Sequence, residues 1–285
     1  MEELAGFLNI DKPRGPTSHD TCMMVRSILK TRENQEFSAC QKSAGFLSTD
    51  KVGHSGTLDP QVTGVLPIAI GKATRLLRYL EHDKEYIGVM HMHEDIDKKK
   101  IEDAIKKHFL GKIKQTPPVK SRVKREERER EIYSFKILEK EGRDVLFSAH
   151  CEAGTYIRKL VDDLGRELGI GAHMLELRRI KAGQFEEKKS LTLYQLQEAV
   201  NSGKLAEHIL PMEMIAKDMP NIEVKEDSLI KIHNGSPIYR EYIESGPKTL
   251  EMGSFAAIMH NKKLVEIAKV LNEGNKIAVP ETVIK

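Results

Sequence analysis

The chain has 285 residues, 39% hydrophobic and 31% charged, with 46 basic and 43 acidic side chains giving a net charge of +3. That length suits one large domain plus one small one, and the hydrophobic share can build a true core. No apolar run approaches the roughly 18 to 20 residues that cross a bilayer, and Met1-Glu2-Glu3-Leu4 lacks the basic and apolar regions of a secretory signal, so no membrane partner is expected and a cytosolic enzyme is the default. Cys22, Cys40 and Cys151 are far apart and show no CxxC spacing, so neither a disulfide framework nor a zinc site is indicated and reduced, mostly buried thiols are expected.

Phe7 to Pro16 reads as a short strand running into a Pro/Gly turn, after which Thr17 or Ser18 caps a helix with Cys22, Val25, Ile28 and Leu29 on one face. Residues 31–51 lose this pattern and read as a surface insertion. Gly53-His54-Ser55-Gly56-Thr57-Leu58-Asp59-Pro60 is a Gly-rich turn, followed by a buried strand from Val65 to Ile70, a helix carrying Leu76, Leu77 and Leu80, and a strand from Tyr86 to His93. Residues 97–110 form an amphipathic helix. Between Lys112 and Arg130 eight basic and three acidic residues give a local charge of +5, broken by Pro117-Pro118, with Glu126, Glu127 and Glu129 spaced for helical ion pairs. Strand alternation returns at 132–137 and 145–151. A helix then starts near Thr155 and stops at Gly169. From about Pro220 onward short β-like runs separated by turns make a small β-rich module. The order of elements over the first 215 residues indicates mixed α+β rather than regular βαβ winding.

The turn at 53–60 holds the strongest chemical signal. Its glycines permit unusual backbone angles, and Pro60 disfavours helix at Asp59, so that carboxylate is presented from extended or turn backbone. Taken alone, such an aspartate reads as a turn residue bonding its own backbone. The surrounding sequence says more. Gly-His-x-Gly-Thr-Leu-Asp-Pro resembles the catalytic loop of the TruB-type pseudouridine synthases. Asn9-Ile10-Asp11-Lys12-Pro13 with Gly15-Pro16-Thr17-Ser18 precedes it, and Lys84-Glu85-Tyr86, Thr116-Pro117-Pro118-Val119-Lys120-Ser121 and Gly154-Thr155-Tyr156-Ile157-Arg158 follow. Gly171-Ala172-His173-Met174 with Leu177-Arg178-Arg179 closes the set. The resemblance extends over residues 6 to about 186 and is nearest to the archaeal and eukaryotic branch, the dyskerin-like synthases of H/ACA guide ribonucleoproteins.

The resemblance implies a pseudouridine synthase fold, a mixed and largely antiparallel sheet with flanking helices, over residues 1–214, with 112–133 as a basic thumb loop. A small β-barrel-like PUA domain over residues 215–285 would follow. It implies that Asp59 is the catalytic carboxylate, acting on base or sugar or as a base, that Arg158 pairs with it, and that Tyr86 stacks on the target base and serves in proton removal from C5. Leu160 would pack against the base, although helix-core packing explains it equally well. Lys12 would shape the pocket floor. His54 reads equally as a contact to the displaced nucleotide or as a loop histidine. Lys120, Arg122, Lys124 and Arg125 would grip the phosphate backbone, their alternative being a solvated charged surface. An isomerisation needs neither metal nor organic cofactor. The implied partners are rRNA or tRNA with an H/ACA guide RNA and H/ACA core proteins, in the cytoplasm of an archaeon or the nucleolus or nucleus of a eukaryote.

A stand-alone enzyme of the tRNA T-loop, a non-catalytic RNA-binding scaffold and a glycosidase-like hydrolase are the rivals. The Asp59, Tyr86 and Arg158 set opposes the scaffold, and the lack of a second carboxylate of the usual kind opposes the hydrolase. Three features depart from the family pattern: Ser55 where glycine is usual, the 31–51 insertion, and a short N-terminus where members often wrap an extension onto the PUA domain. Replacing Lys120, Arg122, Lys124 and Arg125 together should weaken RNA binding and flatten its dependence on salt. An unchanged salt slope in filter binding would remove the thumb-loop reading.

Overall fold

The computed structural model describes residues 4–31, 51–80, 82–116, 126–247 and 249–284. Lys120, Arg122, Lys124 and Arg125, Cys40, Pro117-Pro118 and nearly all of the 31–51 insertion lie outside the described residues.

In chain order the elements are β1 (Gly6–Lys12), α1 (Ser18–Thr31), β2 (Val52–His54), β3 (Thr63–Ile70), β4 (Lys84–Met92), α2 (Lys98–His108), β5 (Gly111–Gln115) and β6 (Arg128–Glu141). Next come β7 (Asp144–Cys151), α3 (Ile157–Glu167), β8 (Ala172–Ala182), β9 (Phe185–Glu186) and α4 (Leu193–Asn201). The C-terminal module holds β10 (Asn221–Val224), α5 (Leu229–His233), β11 (Ile238–Tyr239), β12 (Ile243–Ser245), β13 (Phe255–His260), β14 (Lys263–Glu273) and β15 (Lys276–Val283). Strands β1 to β9 form one nine-stranded sheet in the order β1-β3-β8-β4-β7-β6-β5, with β2 on β3 and β9 on β8. The β3–β8 pair is parallel and the other pairs of this sheet are antiparallel. The second sheet, β11-β15-β14-β13-β10-β12, is the barrel-like module. The architecture is the mixed α+β fold that the sequence indicated.

Local chemistry accounts for the element ends. Thr17 caps α1 through a reciprocal pair, its Oγ1 accepting from the Asp20 N–H at 3.0 Å while the Asp20 carboxylate accepts from the Thr17 N–H at 2.9 Å. Asp97 caps α2 in the same sense. The helix expected around Leu76 and Leu77 is a 3₁₀ helix over Gly71–Tyr79. Its buried Ala73, Leu76 and Tyr79 recur every third residue, the period of that tighter helix. Glu127 and Glu129 form ion pairs across the β5–β6 strands, with Lys114 at 3.1 Å and Lys112 at 3.0 Å, rather than along a helix. The strand β8 was not anticipated as an element, and it is the central partner of both β3 and β4.

One face of the large sheet, lined by Met90, Met92, Phe135 and Phe147, is covered by α2 and α3 through Ile101, Ile105, Ile157, Val161 and Leu164. At the other end of the sheet Leu8, Ile10, Leu66 and Ile68 pack against α1 and α4. On the opposite side of β1 and β3, Phe7, Val65 and Ala69 share an apolar cluster with Ala257, Met259, Leu264 and Ile267 of the module. The segment Met212–Asp218, where the module was expected to begin, buries Met214, Ile215 and Ala216 in that same cluster. Cys22 and Cys151 are free and buried, and burial pushes their thiols up to about 12 and about 11.

Glu266 on β14 is fully buried, and neither of its carboxylate oxygens has a hydrogen-bond partner. Burial pushes its carboxyl up to about 8, well above the ordinary carboxylate range. In that pH interval the unfolded chain ionises Glu266 while the folded chain keeps it neutral, so its contribution to stability is complete below the unfolded value and is lost as pH rises. Melting curves at about pH 5 and about pH 8 should therefore show a loss of stability that Glu266→Gln reduces; equal pH dependence in the variant would refute this.

Candidate active site

The segment that presents Asp59 is fixed on both sides by side chains from other elements. Ser18, on the first turn of α1, directs its Oγ at Leu58, donating to its carbonyl at 2.9 Å and accepting from its N–H at 2.8 Å. Lys12, at the end of β1, is fully buried and donates to the carbonyls of Pro13 at 2.8 Å, Val62 at 2.9 Å and Pro60 at 3.4 Å. The Gly15 N–H also bonds the Pro60 carbonyl, at 2.8 Å, and the Val62 N–H closes a turn onto Asp59 O at 3.0 Å. Burial lowers the Lys12 pKa, and the Asp59 carboxylate opposes that shift. Lys12 is therefore a clamp on the loop. Ser55, the departure from the family glycine, is buried and extends the same bracing: its N–H bonds Pro67 O at 3.0 Å and its Oγ bonds Leu80 O at 3.3 Å.

Gly56 needs its lack of a side chain. Its φ is +68°, and a Cβ there would stand 2.9 Å from Lys84 Cε and 3.1 Å from Arg179 Nη1. Two cationic side chains thus lie directly beneath the loop. Lys84 is itself buried and donates to His82 O at 2.8 Å.

Asp59 meets Arg158 at 2.5 Å, and both side chains are about half exposed, at 47% and 48%. The pair therefore faces solvent on a fixed base. Arg158 lies on the first turn of α3, whose start is held by Gln115: the Gln115 side-chain amide donates to Tyr156 O at 3.2 Å and accepts from Tyr156 N at 3.0 Å. Tyr86 comes from β4 with only 6% exposure. Burial raises the pKa of its phenol, and the neighbouring Arg179 guanidinium opposes the rise.

The structure thus brings Asp59, Arg158, Tyr86 and Lys12 together. His54 lies at the edge of the group on β2, half-buried, its Nδ1 without a hydrogen-bond partner, and burial followed by the Arg179 and His19 charges disfavours its protonated form. Leu160 shares the buried cluster that also holds Tyr86. It is fully buried in the core beneath α3, the helix-core packing that its spacing also allowed. Ser18, Gln115 and Arg179 are site residues that sequence reasoning missed. Ser18 and Arg179 stand inside quoted motifs, whereas Gln115 gives no sequence signal beyond a polar residue on a strand.

Asp83, Glu85 and His150 bring potential metal-ligand atoms within 4.8 Å of one another. Asp83 already pairs with His150 and Glu85 with Lys181 at 3.1 Å, and both pairs lie on the sheet face away from Tyr86. Replacing Lys12 with Met removes the ammonium from the carbonyls of Pro13 and Val62, while Pro60 O keeps the Gly15 N–H; a carbonyl left fully desolvated costs about 1–3 kcal/mol. Lys12→Met should accordingly lower the melting temperature and the turnover rate together. Wild-type values of both would exclude the clamp.

Residues 45–157 match the TruB family pseudouridylate synthase N-terminal domain, and residues 158–217 match the tRNA pseudouridylate synthase B C-terminal domain. A probable tRNA pseudouridine synthase B of Methanopyrus kandleri is 40% identical over 263 residues, covering 90% of this chain and 72% of the relative. Its counterpart in Methanothermobacter thermautotrophicus is 42% identical over 285 residues, covering 97% and 82%. Among solved structures, a Cbf5–Nop10–Gar1 complex matches with a TM-score of 0.82 at 38% identity, covering 98% of this chain and 84% of that one. An H/ACA ribonucleoprotein bound to a substrate RNA containing 2′-deoxyuridine matches with a TM-score of 0.81 at 36% identity, covering 98% and 85%. With Asp59, Arg158 and Tyr86 assembled on this fold, the chain belongs to the TruB family of pseudouridine synthases, isomerases that act on RNA.

Proposed function

We propose that the chain isomerises uridine within an H/ACA-type guide assembly, with Asp59 as the catalytic carboxylate. The observation that carries the chemical part is the Asp59–Arg158 ion pair, held on a braced loop and open to solvent. Isomerisation breaks the N1–C1′ bond, turns the base and joins C5 to C1′; the C5 proton leaves and N1 gains one. Arg158 holds and aims the Asp59 carboxylate through their ion pair. Tyr86 supplies the stacking surface and a hydroxyl for the C5 proton. The target base leaves its stack to reach these groups, and the basic run containing Lys120, Arg122, Lys124 and Arg125 offsets that cost through the phosphate backbone.

The guide-dependent reading rests on the match of nearly the whole chain, module included, to structures of Cbf5 with Nop10 and Gar1 and of an H/ACA ribonucleoprotein. In this reading the 215–285 module is a PUA-type grip on the guide RNA. A second reading, a stand-alone enzyme of the tRNA T-loop, is favoured by the names of the relatives, which are probable tRNA pseudouridine synthases.

Tritium release from C5-labelled uridine separates them, with tRNA and an rRNA fragment each assayed with the protein alone and with guide RNA plus core proteins. Release that requires the guide supports the first reading, and release from tRNA by the protein alone with no response to guide supports the second. Asp59→Asn should retain RNA binding and lower the rate by more than about 10²-fold. Normal turnover by that variant would exclude Asp59 as the catalytic group.

A further inference from the structure

Three arginines of the chain sit in three different electrostatic settings. Arg158 is half exposed and paired with Asp59. Arg178 meets both oxygens of Asp11, at 3.0 and 2.8 Å, and reaches Glu187 at 2.5 Å. Arg179, the next residue of β8, is 1% exposed and has no carboxylate within ion-pair distance among the described residues. Its Nε donates to the Val65 carbonyl at 2.7 Å, while its Nη2 has no hydrogen-bond partner.

A buried charge without a counter-ion is costly, commonly several kcal/mol even after relaxation. An apolar side chain would fill the same interior position without that cost. The surroundings give the charge an object. Tyr86 and Arg179 are directly opposed across the β4–β8 pair, and on its other side Arg179 is paired with Gly64 of β3. The backbone there is closed: a Cβ on Gly64 would stand 2.1 Å from Arg179 O, and Gly64 has φ of +101°. Arg179 is thus fixed between the strand leading from the Asp59 loop and the strand that carries Tyr86, with Nη1 under Gly56.

We propose that Arg179 is a positioning residue for proton transfer: its buried guanidinium stabilises the Tyr86 phenolate that removes the C5 proton of the rearranged base. This rests on the reading of Tyr86 as the group that receives that proton. In the step, the Tyr86 oxygen forms a bond to the C5 hydrogen as the C5–H bond breaks. The electron pair of that bond forms the C5–C6 double bond as the C6–N1 double bond opens onto N1, and N1 takes a proton from solvent. The phenolate carries a negative charge before the transfer and none after it, so a fixed cation opposite holds the tyrosine ready for its task. Burial raises the Tyr86 pKa, which works against a phenolate, and Arg179 is the largest influence acting the other way.

The test compares single-turnover rates on RNA carrying protium or deuterium at the uridine C5, in whichever assembly supports turnover by the wild type. The variants are Arg179→Gln, Arg179→Lys, Tyr86→Phe and the Tyr86→Phe/Arg179→Gln double variant, with RNA affinity measured in parallel. R179Q should be slower by roughly 10²-fold, with unchanged RNA affinity and a larger C5 isotope effect than wild type. Added to Y86F it should cost little further rate, because the two residues act through one another. R179K should keep most of the rate near neutral pH and lose it at alkaline pH where the wild type does not, because a buried lysine deprotonates and an arginine does not.

A slow R179Q with an unaltered isotope effect and a cost that adds to that of Y86F would make Arg179 structural only and overturn the inference. If R179Q fails to fold, R179K decides: an alkaline profile identical to wild type overturns it. Y86F at the wild-type rate would instead remove the Tyr86 reading itself, which separates the two failures.

Discussion

The site depends on a lysine ammonium buried in the protein with backbone carbonyls for company. Lys12 gathers oxygens from Pro13, Pro60 and Val62, and so ties the end of β1 to the segment on the C-terminal side of Asp59. Charge-assisted hydrogen bonds are among the stronger polar contacts in a protein, and they compensate for desolvating the ammonium. The field of the Asp59 carboxylate helps keep that ammonium charged. With Ser18 closing on Leu58 from the other side, a turn without a strand partner of its own gains the rigidity that catalytic geometry requires.

The sheet then serves to place charge. Arg158, Arg178 and Arg179 are chemically identical, yet one reaches solvent beside a carboxylate, one knits β8 to β1 through Asp11, and one is enclosed without a counter-ion. Burial and pairing, rather than residue type, set what each guanidinium can do. The adjacent pair on β8 illustrates the period of a strand: neighbouring side chains point to opposite faces, so Arg178 and Arg179 enter separate networks.

Much of this was legible in the sequence. Alternation and capping chemistry marked β1, β3, β4, β7 and α1, and the ordered motifs around Asp59, Tyr86 and Arg158 pointed to residues that the fold does assemble. The strand β8 escaped notice because Ala-His-Met-Leu-Glu-Leu-Arg-Arg-Ile-Lys-Ala mixes a charged core position with apolar residues on an open face, which erases the period of two. The burial of Arg179 was hidden for the same reason, as patterning assigns a charged residue to the surface. Leu160 shows the converse limit: an apolar residue near a catalytic arginine satisfies the core and the substrate pattern alike, and only three-dimensional burial separates them. The 3₁₀ helix at Gly71–Tyr79 carries a period of three that is easily taken for the α-helical period over so short a run.

Strand β1 has one further consequence. At its start Phe7 exchanges two backbone hydrogen bonds with Leu210 and lies in the apolar cluster shared with the C-terminal module; at its end stands Lys12. Five residue steps of extended chain, about 17 Å, separate them. The strand is therefore a stiff rod with the docking face of the module at one end and the catalytic turn at the other. A replacement module grafted onto this sheet would have to reproduce an apolar face for Phe7 as well as an affinity for RNA, since a poor fit there would reach the Asp59 turn through the backbone. The shape of this joint restricts which C-terminal modules such a catalytic sheet can exchange over time.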